Sequence, residues 1–299
     1  MCTVSAASRL GFFGSDRSGR YLNFLRGQGL GMGATTDDIA VHIAMHGCMK
    51  HLQTTWRSCP SAAPSMSGFS TDADPMGSSS MPLRSSSPPG SKARFWDREA
   101  NKYAASPISD VGGYEATLAR VKGLLSDTDD VLEVGCGTGT TALRLAAGTR
   151  RLLATDLSPA MIQIARQKLG AQPCDRLRFE VADAEFPVAP PASHDVVLAF
   201  SVLHLLSNLG PALHALLAPL KPGGLLITKT PCLREMNPLV PRLAVPLMRA
   251  LGKAPPVLIF DAAQLQDAME SHGLKIEAME RHGTTRKDVR AFIVARKVH

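Results

Sequence analysis

The chain has 299 residues, 44% of them hydrophobic and 20% charged, with a formal net charge of +7. That length fits one large domain or two small ones. No apolar run reaches the roughly 18–20 residues of a transmembrane helix, the excess positive charge is scattered with no basic and aromatic block of the kind that grips nucleic acid, and the cysteines (Cys2, Cys48, Cys59, Cys136, Cys174, Cys232) form no C-x-x-C pair of the kind that holds structural zinc.

Residues 1–91 differ from the rest. They contain no Glu, the first being Glu99, and from about residue 60 they fall into runs such as Gly-Ser-Ser-Ser-Met-Pro and Ser-Ser-Ser-Pro-Pro-Gly. Such runs lack the apolar periodicity that would offset their ordering entropy, so a disordered extension is expected. Its origin is open between an organelle transit peptide, against which Asp37-Asp38 counts, an accessory segment, and a translated upstream stretch with the native start at Met66, Met76 or Met81. A folded domain is expected over residues 92–299. A cytoplasmic location follows for it, or an organellar one if the extension is a transit peptide; Cys136 and Cys174 are expected as free thiols.

Phe95-Trp-Asp-Arg-Glu-Ala-Asn-Lys-Tyr103 opens that domain with aromatics at both ends. Leu118, Val121, Leu124 and Leu125 recur at helical spacing and predict a helix over 114–125. Val131-Leu-Glu-Val-Gly-Cys-Gly-Thr-Gly139 is a short apolar strand with one acid, Glu133, that breaks into a loop with glycine at every second position; a helix follows from Thr140. Gly135, Gly137 and Gly139 permit positive φ and close backbone approach, the helix start offers unpaired N–H groups, and strand, turn and helix together make a nucleotide-type corner. The dinucleotide pattern G-x-G-x-x-G fails when counted from Gly135, and from Gly137 it fits only with a turn that begins two residues late.

Arg151–Asp156 reads as a second strand ending in an acid that can accept hydrogen bonds from ribose hydroxyls, a placement dehydrogenases share. Ser158 and Pro159 are a cap and an N1 residue for the next helix. Further strands are expected at 177–181, 195–200, 224–229, 274–280 and 290–296, with helices near 140–147, 159–169, 209–218 and 261–272. The alternation predicts an α/β fold, an open and mostly parallel sheet with helices on both faces. Its ligand is expected at the carboxyl ends of the strands, where Glu133, Asp156, Asp183 and the 200–204 loop fall.

The form E-x-G-x-G-x-G resembles motif I of class I S-adenosylmethionine-dependent methyltransferases. Asp156-Leu-Ser-Pro-Ala-Met161, Val181-Ala-Asp183-Ala184, Asp195–Phe200 and Leu220-Lys-Pro-Gly-Gly resemble that family's later segments, in order, across about 160 residues. The resemblance implies a doubly wound, Rossmann-like sheet of seven strands, mostly parallel with the last antiparallel, and S-adenosyl-L-methionine as cofactor. It places Glu133 near the methionine part of that cofactor, Asp156 at the ribose and Asp183 at the adenine amino group. Gly135, Cys136, Gly137, Thr138, Gly139, Leu157, Met161, Ala184 and Phe200 would line the same site. The Phe95–Tyr103 stretch is similar to the opening of many small-molecule methyltransferases, which makes Tyr103 the residue that covers the cofactor. The implied activity is in-line methyl transfer to a small-molecule acceptor, on O, N or C. One rival is an NAD(P)-dependent oxidoreductase, but Tyr21, Tyr103 and Tyr114, the only tyrosines, all precede the glycine loop. A non-catalytic binding module is the other, and the three intact acids weigh against it.

On the acceptor side, His204 follows strand four, where the resemblance allows either a general base or a residue packed beside the cofactor. Residues 231–257 form an apolar, proline-rich insertion carrying Arg234, Arg242, Arg249 and Lys253 against Glu235 alone. It is expected to be either a lid over a hydrophobic or anionic acceptor, with Arg234 and Met248 on the acceptor side, or an ordinary packed helix with solvated arginines. Pro246 is expected to break its helix, which argues against a membrane-surface role. No metal site is expected, and thiol-based metalloid chemistry is disfavoured.

Overall fold

The computed structural model describes residues 90–236, 238–250, 254–284 and 288–298; the expected disordered extension lies outside the described residues. In chain order the strands are β1 (Asp130–Val134), β2 (Arg151–Asp156), β3 (Leu177–Val181), β4 (His194–Phe200), β5 (Leu220–Pro231), β6 (Leu274–Glu280) and β7 (Arg290–Lys297). The helices are α1 (Ser91–Ala105), α2 (Val111–Lys122), α3 (Thr140–Leu145), α4 (Pro159–Ala171), α5 (Leu209–Leu217), α6 (Val245–Ala250) and α7 (Ala262–Ser271). Among the described residues no helix is long and apolar enough to cross a membrane.

The strands form one sheet in the order β3-β2-β1-β4-β5-β7-β6. Strands β1 to β5 pair in parallel, and β7 runs antiparallel to both β5 and β6. Parallel strands buried on both faces read as nearly continuous apolar runs, which is why β1 is buried at every position. Val131, Leu152, Val196, Leu198 and Ile227 pack on one face with Leu118 of α2, Leu145 of α3 and Ile162 of α4. Leu132, Val134, Val197 and Leu226 pack on the other with Leu213 of α5 and Leu265 of α7. The order reverses at β1, so the crevice between the carboxyl ends of β1 and β4 is the switch point where such sheets bind ligands.

Several boundaries differ from the sequence reading, β5 beginning four residues earlier at Leu220, and two of the differences have a clear local cause. Helix α2 starts at Val111 because Asp110 caps it, its side chain accepting from Gly113 N; Gly112 and Gly113 conceal that turn from an apolar-periodicity reading. The helix expected to break at Pro246 runs through it. Pro246 has no N–H to give the preceding turn, and the chain accommodates this with a π-helical stretch, Val240–Ala244, in which Val245 N donates to Val240 O; α6 follows directly.

Candidate active site

Glu133, next to last in β1, is 2% exposed, and its Oε2 has no hydrogen-bond partner. Burial, reinforced by the neighbouring Asp156 charge, pushes its carboxyl up to about 8. The glycine loop follows. Gly135 has φ +68°, and a Cβ there would lie 2.7 Å from the Val202 side chain. Gly137, at φ +54°, has the Tyr103 ring 3.4 Å from where its Cβ would be, so the bare backbone faces the ring directly. Cys136 N donates to Thr155 O at 2.9 Å, which ties the loop to β2.

Asp156 ends β2. Its Oδ2 accepts from Gly137 N and its Oδ1 from Ser158 N, each at 2.9 Å. Burial raises its pKa to about 6, although those two bonds oppose the shift. Each oxygen keeps lone-pair capacity for a further donor. Asp183 follows β3 and accepts from Glu185 N at 3.0 Å.

A cleft of about 850 Å³, open to solvent, gathers much of this set: Gly135, Gly137, Asp156, Leu157, Met161 and Asp183 line it, with Tyr103, Ala184 and Phe200. Glu133, Cys136, Thr138 and Gly139 stand behind that wall. Thr138 is 3% exposed, and its hydroxyl accepts from Lys168 Nζ at 2.8 Å. Cys136 is buried, which holds its thiol well above the usual range and leaves it unreactive.

The sequence reading missed several wall residues. Trp96, read there as mostly structural, packs with Phe95 and Met161 yet also lines the cleft. Lys92 closes the rim by pairing with Glu185 and donating to Ser207 Oγ at 2.8 Å. Helix α1 is fastened further by Asp97, whose Oδ1 accepts from Ser158 Oγ at 2.6 Å and from Ala160 N at 3.1 Å. Ser201 and Val202, in the 200–204 loop already expected at the ligand, and Pro255, which was not, complete the wall. Ser201 holds φ +54°, a left-handed conformation directly after β4.

A second pocket, also open to solvent and about 450 Å³ with that open space included, shares Phe200 and Ser201 with the first. Tyr114, Thr117, Thr141, Lys229 and Arg290 are in its wall. Lys229 is 7% exposed and donates to Gly113 O at 3.1 Å and Thr117 Oγ1 at 2.6 Å. Arg290 is held by Asp110 at 2.8 Å and Asp288 at 2.6 Å. Burial would raise the Asp110 pKa, but hydrogen bonds from Thr284, Gly113 and Arg290 outweigh it and bring the carboxyl to about 2.

The acceptor-side expectations fare differently. His204 is fully buried in the 3-10 turn Leu203–Leu205, outside both cavity walls, and its carbonyl accepts from Leu258 N at 2.7 Å. Arg234 sits in the turn Leu233–Glu235, more than half exposed, 4.0 Å from Asp261 and outside both walls. Met248 falls in α6, and its side chain lies outside the described residues.

The sequence model of the methyltransferase domain family matches residues 131–224, the stretch from β1 into β5 that carries the glycine loop and all three acids. Over those residues the chain is similar to the methyltransferase domain family. Malonyl-[acyl-carrier protein] O-methyltransferase of Serratia marcescens is 30% identical over 142 residues, which cover 46% of this chain and 51% of that protein. Demethylmenaquinone methyltransferase of Clavibacter sepedonicus is 32% identical over 98 residues, 32% of this chain and 39% of that one. The chain thus spans about half the length, or less, of these curated relatives. The solved S-adenosylmethionine-dependent methyltransferase of Mesorhizobium loti shares the fold, with a TM-score of 0.51 at 20% identity over 60% of this chain and 96% of its own.

The residues of this domain fit the family's cofactor, S-adenosylmethionine. It brings ribose hydroxyls that match the remaining acceptor capacity of Asp156, an adenine amino group from which Asp183 can accept a hydrogen bond, and an ammonium group that Glu133, behind the glycine loop, can hold through a bridging water.

Proposed function

We propose that the chain transfers the methyl group of S-adenosylmethionine to a small-molecule acceptor, with the reacting atom held at Phe200–Ser201, where the two cavities meet. The observation that carries this reading is the convergence of Glu133, Asp156 and Asp183 from three adjacent strand ends, with one buried carboxylate oxygen left without a donor. S-adenosylmethionine supplies a methyl group already activated by its sulfonium, so the protein's share is positioning, exclusion of water and, for an alcohol acceptor, removal of a proton. Glu133 holds the cofactor's ammonium and Asp156 its ribose. Trp96, Tyr103, Leu157 and Met161 give the cleft an apolar wall that keeps water from the sulfonium. Lys92 and Glu185 fasten α1 across the rim.

The acceptor's polar end lies in the second cavity, among the Tyr114, Thr117 and Thr141 hydroxyls and the Lys229 ammonium. An oxygen that carries negative charge suits Lys229, and this is the chemical sense in which the acceptor is anionic. His204, walled off from both cavities, is assigned no proton transfer; a base must come within about 3 Å of the proton it takes, or act through one water. Residues 90–299 form the catalytic unit in this reading.

Calorimetric titration of the protein with S-adenosylmethionine, S-adenosylhomocysteine and NADH tests the assignment. Micromolar binding of both adenosyl compounds, weakened at least tenfold by Asp156→Ala, is expected, with no binding of NADH. Binding of NADH alone, or unchanged affinity in a folded Asp156→Ala protein, would overturn it.

A further inference from the structure

The stretch from Leu239 to Ala250 carries the most conspicuous apolar surface outside the cleft. Leu239, Leu243 and Leu247 are 60%, 63% and 56% exposed, a run of exposed leucines along the helical stretch. Val240 and Val245, 5% and 3% exposed, anchor the stretch to the domain. Arg242 and Arg249 are exposed on the same helical stretch. From Met236 to Phe260 the sequence has no acid and three cations, Arg242, Arg249 and Lys253. The expected break at Pro246 is absent, because the π-helical stretch carries the helix through it. The same segment continues to Pro255, which lines the cofactor cleft.

We propose that this helix docks the protein on an anionic lipid surface, with Leu239, Leu243 and Leu247 entering the acyl boundary and Arg242 and Arg249 at the headgroups. The acceptor then reaches the cleft from that surface. Charge complementarity selects this occupant. A run of exposed leucines whose own segment carries cations and no acid matches a surface that is apolar below and uniformly negative above. A ridge this short binds weakly by apolar burial alone, so the anionic headgroups are required. The docking rests on the helix itself; only the statement about the acceptor rests on the methyltransferase reading.

The test is flotation of the full chain with phosphatidylcholine vesicles, with and without one third phosphatidylglycerol, at physiological salt. S-adenosylhomocysteine affinity is measured in parallel. The protein is expected to float with the anionic vesicles. Leu243→Glu/Leu247→Glu should lower that partitioning at least tenfold while leaving melting temperature and S-adenosylhomocysteine affinity unchanged. Arg242→Gln/Arg249→Gln, which leaves the ridge intact, should remove the preference for anionic over neutral vesicles and serves alone if the first variant does not fold. No flotation, equal flotation with neutral vesicles, or equal flotation of wild type and variants overturns the proposal. A dimer that the leucine variant dissociates and that vesicles do not compete away also overturns it, and assigns the ridge to a second copy of the chain. Flotation without S-adenosylhomocysteine binding leaves the docking intact and removes the methyltransferase reading.

Discussion

Glu133 is an acid that the fold buries beside a second acid, and its protonation is therefore linked to both stability and binding. Its pKa in the folded, ligand-free protein is about 8, against an ordinary value of 4.5. A raised carboxyl pKa means the native state holds a proton that the unfolded chain releases. Its stabilising contribution is complete below about pH 4.5 and is lost as pH climbs through about 8. The melting temperature of the ligand-free protein should fall between these limits, and Glu133→Gln should flatten that slope. The same variant should weaken S-adenosylmethionine about ten- to a hundredfold, the worth of a charge-assisted hydrogen bond. Binding a cation at Glu133 should also expel close to one proton near pH 7, read by calorimetry in buffers of different ionisation enthalpy. Asp156, whose pKa is about 6, is mostly ionised at pH 7, so release that persists undiminished in Glu133→Gln would overturn the assignment to Glu133.

A glycine in the same loop gives a prediction of a different kind. Gly135→Ala places a methyl group 2.7 Å from the Val202 side chain at φ +68°, so both backbone strain and a clash arise at the cleft wall. We expect a loss of about 1–3 kcal/mol, seen in chemical denaturation, together with weaker cofactor binding.

At the scale of elements, α1 and the start of α4 behave as one device. Asp97 on α1 accepts from Ser158 Oγ and Ala160 N, and Ser158 in turn caps α4 by accepting from Met161 N. Asp97→Ala should cost about 1 kcal/mol as a lost cap partner, or roughly 2–4 °C in melting temperature for a domain of this size, and should raise the S-adenosylhomocysteine dissociation rate more than it changes the association rate. An unchanged dissociation rate would mean that α1 does not retain the cofactor.

The sheet strands were legible to within a few residues because parallel strands covered on both faces show as apolar runs. The glycine loop was legible because three alternating glycines have few other uses. The cleft's outer wall was less so. The Lys92–Glu185 pair spans 93 residues, and no local pattern announces it. The surroundings of Arg234 were hidden for a related reason: it lies 4.0 Å from Asp261, at the start of α7, which periodicity alone does not bring near. Pro246 misled because a proline read singly forbids a helix, while a wider turn just before it restores one.

For the molecule as a whole, among the described residues both faces of the sheet are covered by side chains from residues 111–298. Helix α1 adds a small cluster of its own, formed by Phe95, Trp96 and Ala100 against Met161. We propose that residues 90–299 are the self-sufficient unit. Removal of residues 1–89 should then leave the melting temperature within about 2 °C, a shift below that of a single lost kilocalorie in a domain of this size, and should leave S-adenosylhomocysteine affinity unchanged. Insolubility or lost affinity in the shortened chain would place part of the fold upstream.

Helix α1, seated on a cluster separate from the two that cover the sheet, is expected to set a clock. Because it is held by one small cluster and a few polar clasps, it can unfasten while the sheet stays intact, a local opening well below the free energy of global unfolding. Its amide hydrogens should exchange with deuterium ahead of those in β1, and saturating S-adenosylhomocysteine should slow the first set and leave the second nearly unchanged. If they do, the interval between successive turnovers is timed by the peeling of one helix, and replacing Lys92 or Asp97 would shorten product residence before it altered the chemical step.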